Sequence, residues 1–433
     1  MKKAGGRILM MVENHFPQDT RVKNEAELLA NAGYQVSVIA LRKNGQARRE
    51  VVNGIMVYRV PHLELFKKTS PANPNGISLL LLKLRASLGY LIEYYYFTMA
   101  CLCVTSYVFV TRGFDVIHAH NPPDTLFVVA MPFKLFGKKF VFDHHDLCPE
   151  LYRSRYNTGE GFVTGLLGLF EWCSLKLADI TIATNESYKK VQIERAHKDP
   201  GHIFVVRNGP NQMRMTPVAP NPRLRGMNKS ILCYVGSLNP QDGVDYLLRS
   251  LRYLLFDLKR SDFHCVIIGT GDSLRDLRHL AESLQLNGCV ELTGFISDED
   301  LQANLAAADI CVDPDPSSPL NDVSTWIKVM EYMAYAKPIV SFDLKETRFS
   351  AQGAAIYVEP NKEAKFAEAI AKLMDQPDVQ KRMGADGRRR VEDELQWDRV
   401  GKNLLTAYET LLPLERENSC EAPLGKKSAE SNS

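Results

Sequence analysis

Residues 321–343 read NDVSTWIKVMEYMAYAKPIVSFD. Asp322, Ser324 and Thr325 are residue types that cap a helix N-terminus. An apolar run at helical spacing follows, and Lys337-Pro338 ends it ahead of IVSF, a short β-prone run. The segment reads as a helix feeding a buried strand, the repeating unit of a parallel sheet. Two charges, Lys328 and Glu331, sit three residues apart within its apolar part.

The same alternation extends in both directions. SILCYVGS, FHCVIIGTGD, CVELTGF, ICVDPD and AAIYVE complete a second-half series of strands separated by helical patterns. RILMMV, QVSVIAL, GIMVYRV, DVIHAH, KFVFDHHD, ITIATN and IFVVRNGPN form an earlier series, with RVKNEAELLANAGY as a helix ending near Gly33. Between them PNQMRMTPVAPNPRLRGMNKS is rich in Pro, Asn and basic residues and has no periodicity, as a linker does. The expected fold is α/β, with two Rossmann-like domains facing across a cleft. Residues 1–210 make the first domain, with apolar helices that could face a membrane. Residues 211–230 are the linker, 231–395 the second domain, 396–413 a helix packing back on the first domain, and 414–433 a disordered tail.

Bulk properties fit two domains. The chain has 433 residues, 45% hydrophobic and 24% charged, with a net charge of +2 that argues against general nucleic-acid binding. Basic clusters at Arg42-Lys43, Arg48-Arg49, Lys67-Lys68, Lys138-Lys139 and Arg153/Arg155 suit either an anionic surface or ordinary solvated loops. Nine cysteines, scattered and without a Cys-x-x-Cys pair, point to buried thiols in a reducing compartment. The N-terminal segment enters a run of only five apolar residues, so no signal peptide is expected. Residues 86–111 carry one charge, Glu93, and reach the length of a membrane span. A span there would part strands of one sheet, so a buried or interface-lying helix is expected. GFVTGLLGLFEWCSLKLAD (161–179) suits a membrane surface or core packing equally.

Ligands of such sheets bind beyond the carboxyl ends of the strands. A capped helix start near Ser324 would offer free amides to a phosphate. Glu331 lies about 10 Å further along the axis, a reach suited to the ribose of the same nucleotide. Lys328, on the same face, would neutralise phosphate charge. Gly236-Ser237, Gly269 and Gly271 follow strands, where backbone can approach a ligand closely. In the first half, His118, His120, Asp143, His144, His145, Asp146 and Glu150 reach strand ends, suited to acid–base or hydrogen-bonding work more than to metal ligation. The DPDP of residues 313–316 reads as a plain loop.

The order YVGSL…DG, VIIGTGD, ELTGFIS, AADICVDP and VMEYMAYAKPIVSFD resembles the retaining glycosyltransferases of family 4, with the GT-B fold. FPQDTRVKNEAELLANAGYQVSVIA, DVIHAHNPPD, DHHDLCPELY, LADITIATNES and VVRNGPN agree, so the likeness covers residues 1–412. It extends to a subgroup that builds bacterial surface polysaccharides. The resemblance implies that Glu331 is the second Glu of a Glu-x7-Glu motif holding ribose hydroxyls, and that Phe295 and Ile296 bind the base. It also implies that His145, or less well His144, is the cleft histidine near the transferred sugar, and that Gly236 and Gly271 face the donor. The first Glu of the motif is Val323 here, with Asp322 or Asn321 as substitutes. The family's Arg/Lys pair on the diphosphate falls at Ser237 and Asp242, which leaves Lys328, with Arg348 or Arg21, as the replacement cation.

The implied activity is transfer of a hexosyl or N-acetylhexosaminyl group from a nucleotide-diphosphate sugar to a lipid-linked or growing glycan. The anomeric configuration is retained, and neither metal nor cofactor takes part. Catalytic roles fall to His145, Lys328 and Glu331; donor contacts to Gly236, Ser237, Gly269, Gly271, Phe295, Ile296, Asp322, Ser324 and Thr325; and acceptor-side contacts to Arg21, His120 and His144. The expected location is cytoplasmic, peripheral on the inner membrane. Alternatives are a non-catalytic nucleotide-sugar or partner-binding protein and a nucleotide-sugar epimerase. A NAD enzyme is disfavoured because no Gly-x-Gly-x-x-Gly follows RILMMV.

Overall fold

The structure, a computed structural model, describes residues 5–63, 76–156, 159–210 and 218–412. The expected tail, residues 211–217 of the expected linker and the Lys67-Lys68 cluster lie outside these residues, while the rest of the linker carries a short helix, Pro222–Arg225. Eight strands form the first sheet: β1 (Arg7–His15), β2 (Gln35–Arg42), β3 (Arg49–Val52), β4 (Ile55–Pro61), β5 (Val116–His120), β6 (Lys139–His144), β7 (Ile180–Ala183) and β8 (Ile203–Val205). Their order is β3-β4-β2-β1-β5-β6-β7-β8. Only β3 runs antiparallel, joined to β4 by Asn53-Gly54, both at positive φ as a tight hairpin turn requires. That edge strand, REVV, does not stand out in the sequence, because its charges break the apolar run.

The second sheet holds β9 (Ser230–Val235), β10 (Phe263–Ile268), β11 (Val290–Gly294), β12 (Ile310–Asp313), β13 (Ile339–Phe342) and β14 (Ala355–Val358), ordered β11-β10-β9-β12-β13-β14 and wholly parallel. Helices cover both faces, which is why central strands such as β9 and β10 are buried along their length. Strand order reverses between β9 and β12 here, and between β1 and β5 in the first sheet. A crevice opens at such reversals, at the carboxyl ends of the strands.

The helix Gly76–Thr111 lies along the first sheet, and its stretch Leu91–Thr111 is apolar and long enough to cross a membrane, with 33% of the defining window buried in the fold. Phe97, Cys101 and Val108 pack into the core with Phe114 and Phe133, whereas Tyr95, Tyr107 and Val110 are exposed. Strands before and after this helix join one sheet, so it does not part the lobe. The helix Phe162–Leu177 likewise buries Leu167 and Leu175 and exposes Phe162, Leu169 and Trp172.

The chain crosses between lobes twice, side by side. A methyl group on Gly209, just past β8, would stand 3.1 Å from the Trp397 nitrogen on the returning segment. Beyond that point Trp397, Leu404 and Tyr408 pack on Ile8, Met10, Val22 and Leu29 of the first lobe. The Asn403 amide donates to the Val205 carbonyl at 2.8 Å. Across the lobes, Arg155 pairs with Asp272, and Glu346 accepts from Ser187 at 2.6 Å and from Arg207 at 3.2 Å.

Candidate functional site

A cavity of about 450 Å³ lies where the two sets of strand ends face each other. Its wall from the first lobe is Thr20, Arg21 and Asn24, with Asn208 and Gly209 after β8. The second lobe contributes Gly236 and Ser237 after β9, Gly269 and Thr270 after β10, and Phe295 and Ile296 after β11. Ile327, Lys328 and Glu331 of the helix Ile327–Ala334 complete it, beside Trp397. Of the residues expected at the donor, Gly236, Ser237, Gly269, Phe295, Ile296, Lys328 and Glu331 are thus brought together.

The glycines are required by chain-to-chain approach. At Gly269, where φ is +147°, an added methyl would stand 1.8 Å from the Gly236 carbonyl oxygen. The loops after β9 and β10 therefore touch, and no side chain fills the space above them. Gly271 is a correction. It does not line the cavity, and its methyl would meet the Leu238 carbonyl at 2.4 Å, so it serves loop packing.

The helix start is also corrected. Residues Asn321–Val323 form a 3-10 turn, Ser324 is extended, and the α-helix begins at Ile327 with Trp326 in the capping position and no side-chain cap. Asp322, Ser324 and Thr325 do not line the cavity. Thr325 accepts from the Asn185 amide at 2.9 Å, and that amide also donates to the Val323 carbonyl at 2.9 Å. Ser324 donates to the Leu320 carbonyl at 2.7 Å and lies 3.2 Å from the Tyr188 hydroxyl. Asp322 accepts from Ser317 at 3.1 Å. Asn185 caps its own helix by accepting from the Tyr188 amide and spends its two N–H groups on this segment. Ser324 and Thr325 therefore join the lobes, whereas Asp322 bonds within its own. The following helix begins three residues on, and Ile327 and Lys328 of its first turn line the cavity.

Lys328 is 8% exposed, and its ammonium lies 2.6 Å from Asp315 and 3.3 Å from Asp313, over the Tyr234 ring at 5.0 Å and the Trp326 ring at 5.3 Å. Burial opposes its charge, but Asp315 and its neighbours outweigh that and hold its pKa well above the ordinary value. Asp313 and Asp315 are fully buried. The DPDP segment is therefore an ion-pairing element and not the plain loop expected. Glu331, 6% exposed, stands one helical turn on, on the same face. Phe295 is 85% exposed at the mouth.

In the first lobe, the Arg21 guanidinium forks onto Asp143 at 2.7 and 2.9 Å and donates to the Val206 carbonyl and Asn208. Although it borders the cavity, its donors are committed, which counts against it as a diphosphate clamp. Arg348 pairs with Asp343 and is not among the lining residues. His120 is fully buried against Glu25 at 3.1 Å, and burial drives its pKa down to about 3, so the ring is neutral. His144 is fully buried on the other face of β6, stacked on Phe142 and 3.5 Å from Glu171. Strand alternation puts it opposite Asp143, away from the cleft. Both acceptor-side expectations are corrected in this way. His145 is partly exposed and is not among the residues lining the cavity, so it is not brought together with Lys328 and Glu331; its amide donates to Asn121 at 2.9 Å and its Nδ1 lies 3.8 Å from Asp143, and burial lowers its pKa, but Asp143 raises it further. Glu25, His118, His120 and Asp143 each offer a ligand atom within 4.8 Å of the others.

Residues 18–212 match the family model for Glycosyltransferase Family 4, and residues 229–376 match that for glycosyl transferases group 1. The alpha-maltose-1-phosphate synthase of Mycolicibacterium smegmatis is 23% identical over 63% of this chain and 73% of its own length. A GDP-mannose-dependent monoacylated alpha-(1-6)-phosphatidylinositol monomannoside mannosyltransferase of Corynebacterium glutamicum is 28% identical over 46% of this chain and 53% of its own. Among the first curated relatives, the chain spans from 39% to 73% of their length. The solved structure of WaaG, a glycosyltransferase involved in lipopolysaccharide biosynthesis, superposes with a TM-score of 0.66 over 93% of this chain and 99% of that one, at 16% identity. Two parallel-sheet lobes with a cavity between their strand ends, and these matches, define a glycosyltransferase of the GT-B fold. The chain belongs to glycosyltransferase family 4.

Proposed function

We propose that this protein transfers a hexosyl or N-acetylhexosaminyl group, with retention of configuration, from a nucleotide-diphosphate sugar to a lipid-linked or growing surface glycan. The carrying observation is the meeting of the helix Ile327–Ala334, Lys328 and Glu331 with the glycine loops in one interlobe cavity. Breaking the sugar–diphosphate bond develops negative charge on the leaving phosphate. The helix amides and the Lys328 ammonium stabilise that charge as it forms, with no metal at the donor. Glu331 takes the ribose hydroxyls, and Phe295 with Ile296 covers the base. His145, just past β6 and outside the lining of the cavity, hydrogen-bonds the transferred sugar in this reading, while a donor phosphate oxygen receives the acceptor proton. The name of the Corynebacterium relative, which specifies GDP-mannose and a phosphatidylinositol mannoside, supports a nucleotide-sugar donor and a lipid acceptor. The exposed aromatic and apolar residues of Gly76–Thr111 and Phe162–Leu177 support a peripheral seat on the cytosolic face of the inner membrane.

A non-catalytic, nucleotide-sugar-binding role is the second reading. It is favoured by the ion pairing of both cations that border the cavity, Arg21 to Asp143 and Lys328 to Asp313 and Asp315. Incubation with a panel of nucleotide sugars and lipid-linked acceptors separates the two. Release of nucleoside diphosphate coupled to a lengthened glycan is the expected result. Binding of donors without release across the panel would favour the second reading and sink the first.

A further inference from the structure

We propose that Glu25, His118, His120 and Asp143 bind one divalent transition-metal ion of the zinc or cobalt type, as a closed structural site beneath the cleft. The placement follows from the chain. His118 and His120, two residues apart on β5, project to one face of the strand. Asp143 is the register partner of His120 on β6, and Glu25 comes down from the helix Thr20–Asn31. All four residues are fully buried.

The geometry suits a tetrahedral ion. Four ligands at the usual zinc distances stand roughly 3.4 Å from one another. Here Glu25 Oε2 lies 3.1 Å from His120 Nε2 and 3.8 Å from His118 Nε2, and His120 Nε2 lies 3.8 Å from Asp143 Oδ2. His118 Nε2 is buried with no hydrogen-bond partner and is aimed into the cluster, which marks a ligand position. On the other side of that ring, Nδ1 lies 3.0 Å from the Tyr408 hydroxyl. The tautomer that donates Nδ1–H to Tyr408 leaves the Nε2 lone pair toward the cluster, the outer partner that metal-bound histidines usually have. Arg21 approaches Asp143 through both oxygens and Glu25 at 3.3 Å. A carboxylate has about four lone-pair sites, so the Arg21 fork leaves Asp143 Oδ2 one for an ion. The two carboxylates and Arg21 sum to one negative charge, which a divalent ion reverses to one positive. The ion would tie the first helix, β5 and β6 together, with the C-terminal helix held through Tyr408.

Because the site is closed, metal must enter as the chain folds. Full-length protein is therefore produced in minimal medium supplied with Co²⁺, desalted, and measured for metal content and visible absorption. One cobalt per chain with the intense ligand-field bands of four-coordination is expected, together with a melting temperature several degrees above that of protein made without the metal. His118→Ala/His120→Ala should lose the bands, and Tyr408→Phe should keep them while weakening retention against a chelator about 10–100-fold. Should the double variant not fold, the wild-type spectrum and stoichiometry decide alone. Less than stoichiometric cobalt, six-coordinate bands, or full retention in a folded double variant would overturn the proposal and leave these residues as a hydrogen-bonded network.

Discussion

Replacing Lys328 by methionine keeps the length of the side chain and removes its charge, so it isolates what the ammonium does. In the free protein the change leaves Asp313 and Asp315, both fully buried, without the cation that sits 3.3 and 2.6 Å away. Breaking a buried pair from one side costs about 3–5 kcal/mol. The second lobe should therefore melt well below its wild-type temperature. At the donor, loss of one charge-assisted hydrogen bond to phosphate costs about 1.5–3 kcal/mol, or roughly 10- to 150-fold in Kd. Asp315→Asn provides the control. It removes the carboxyl group closest to the ammonium, 2.6 Å away, so less of the Lys328 charge is engaged within the protein. That variant should bind a nucleoside diphosphate more tightly than wild type, while Lys328→Met binds more weakly. Calorimetric titration with nucleoside diphosphates, run beside thermal unfolding, reads both quantities. If a folded Lys328→Met protein binds with wild-type affinity, the ammonium belongs to the fold and not to the phosphate site.

Glu331→Ala should weaken nucleotide-sugar binding about 10- to 100-fold in protein that still folds, since it removes an acceptor for the ribose hydroxyls; equal affinity by titration would show that its role is structural. Gly269→Ala forces a methyl to within 1.8 Å of the Gly236 carbonyl at φ +147°, so the lobe should lose about 3 kcal/mol or more, and an unchanged calorimetric transition would refute the close approach. Burial, followed by repulsion from Glu93, pushes Glu13 up to about 8 from 4.5. An acid raised in the folded state contributes stability that is complete below about pH 4.5 and is lost as pH rises toward about 8, at up to about 1.4 kcal/mol per unit. Glu13→Gln should flatten the fall in melting temperature across that window, and a slope identical to wild type would show that Glu13 ionises normally.

Much of the fold was legible because parallel strands buried on both faces write themselves as continuous apolar runs. Every strand quoted from the sequence appears, and only the charged edge strand Arg49–Val52 was passed over. The site was legible in part. Glycines after strands and the paired Lys328 and Glu331 are local signals, and the cavity gathers them. What failed is what depends on distant chain. Ser324 and Thr325 look like helix caps until Tyr188 and Asn185, more than a hundred residues earlier, come into hydrogen-bonding distance of them. Arg21 looks like an available cation until β6 delivers Asp143 to it. Three adjacent polar residues, Asp143, His144 and His145, cannot share a face, and the sequence does not say which one turns inward to the far side. Asn24 and Asn208 lie within the quoted segments FPQDTRVKNEAELLANAGYQVSVIA and VVRNGPN but stood there with no role, and Trp397 lies in none of the quoted segments.

Gly209 and Trp397 place the end of the first lobe's sheet and the returning segment side by side on the wall of the cavity. The backbone that links the lobes and the space that takes a ligand therefore share a boundary. A side chain at position 209 would press on the Trp397 backbone and change the shape of that space without replacing any group that handles sugar.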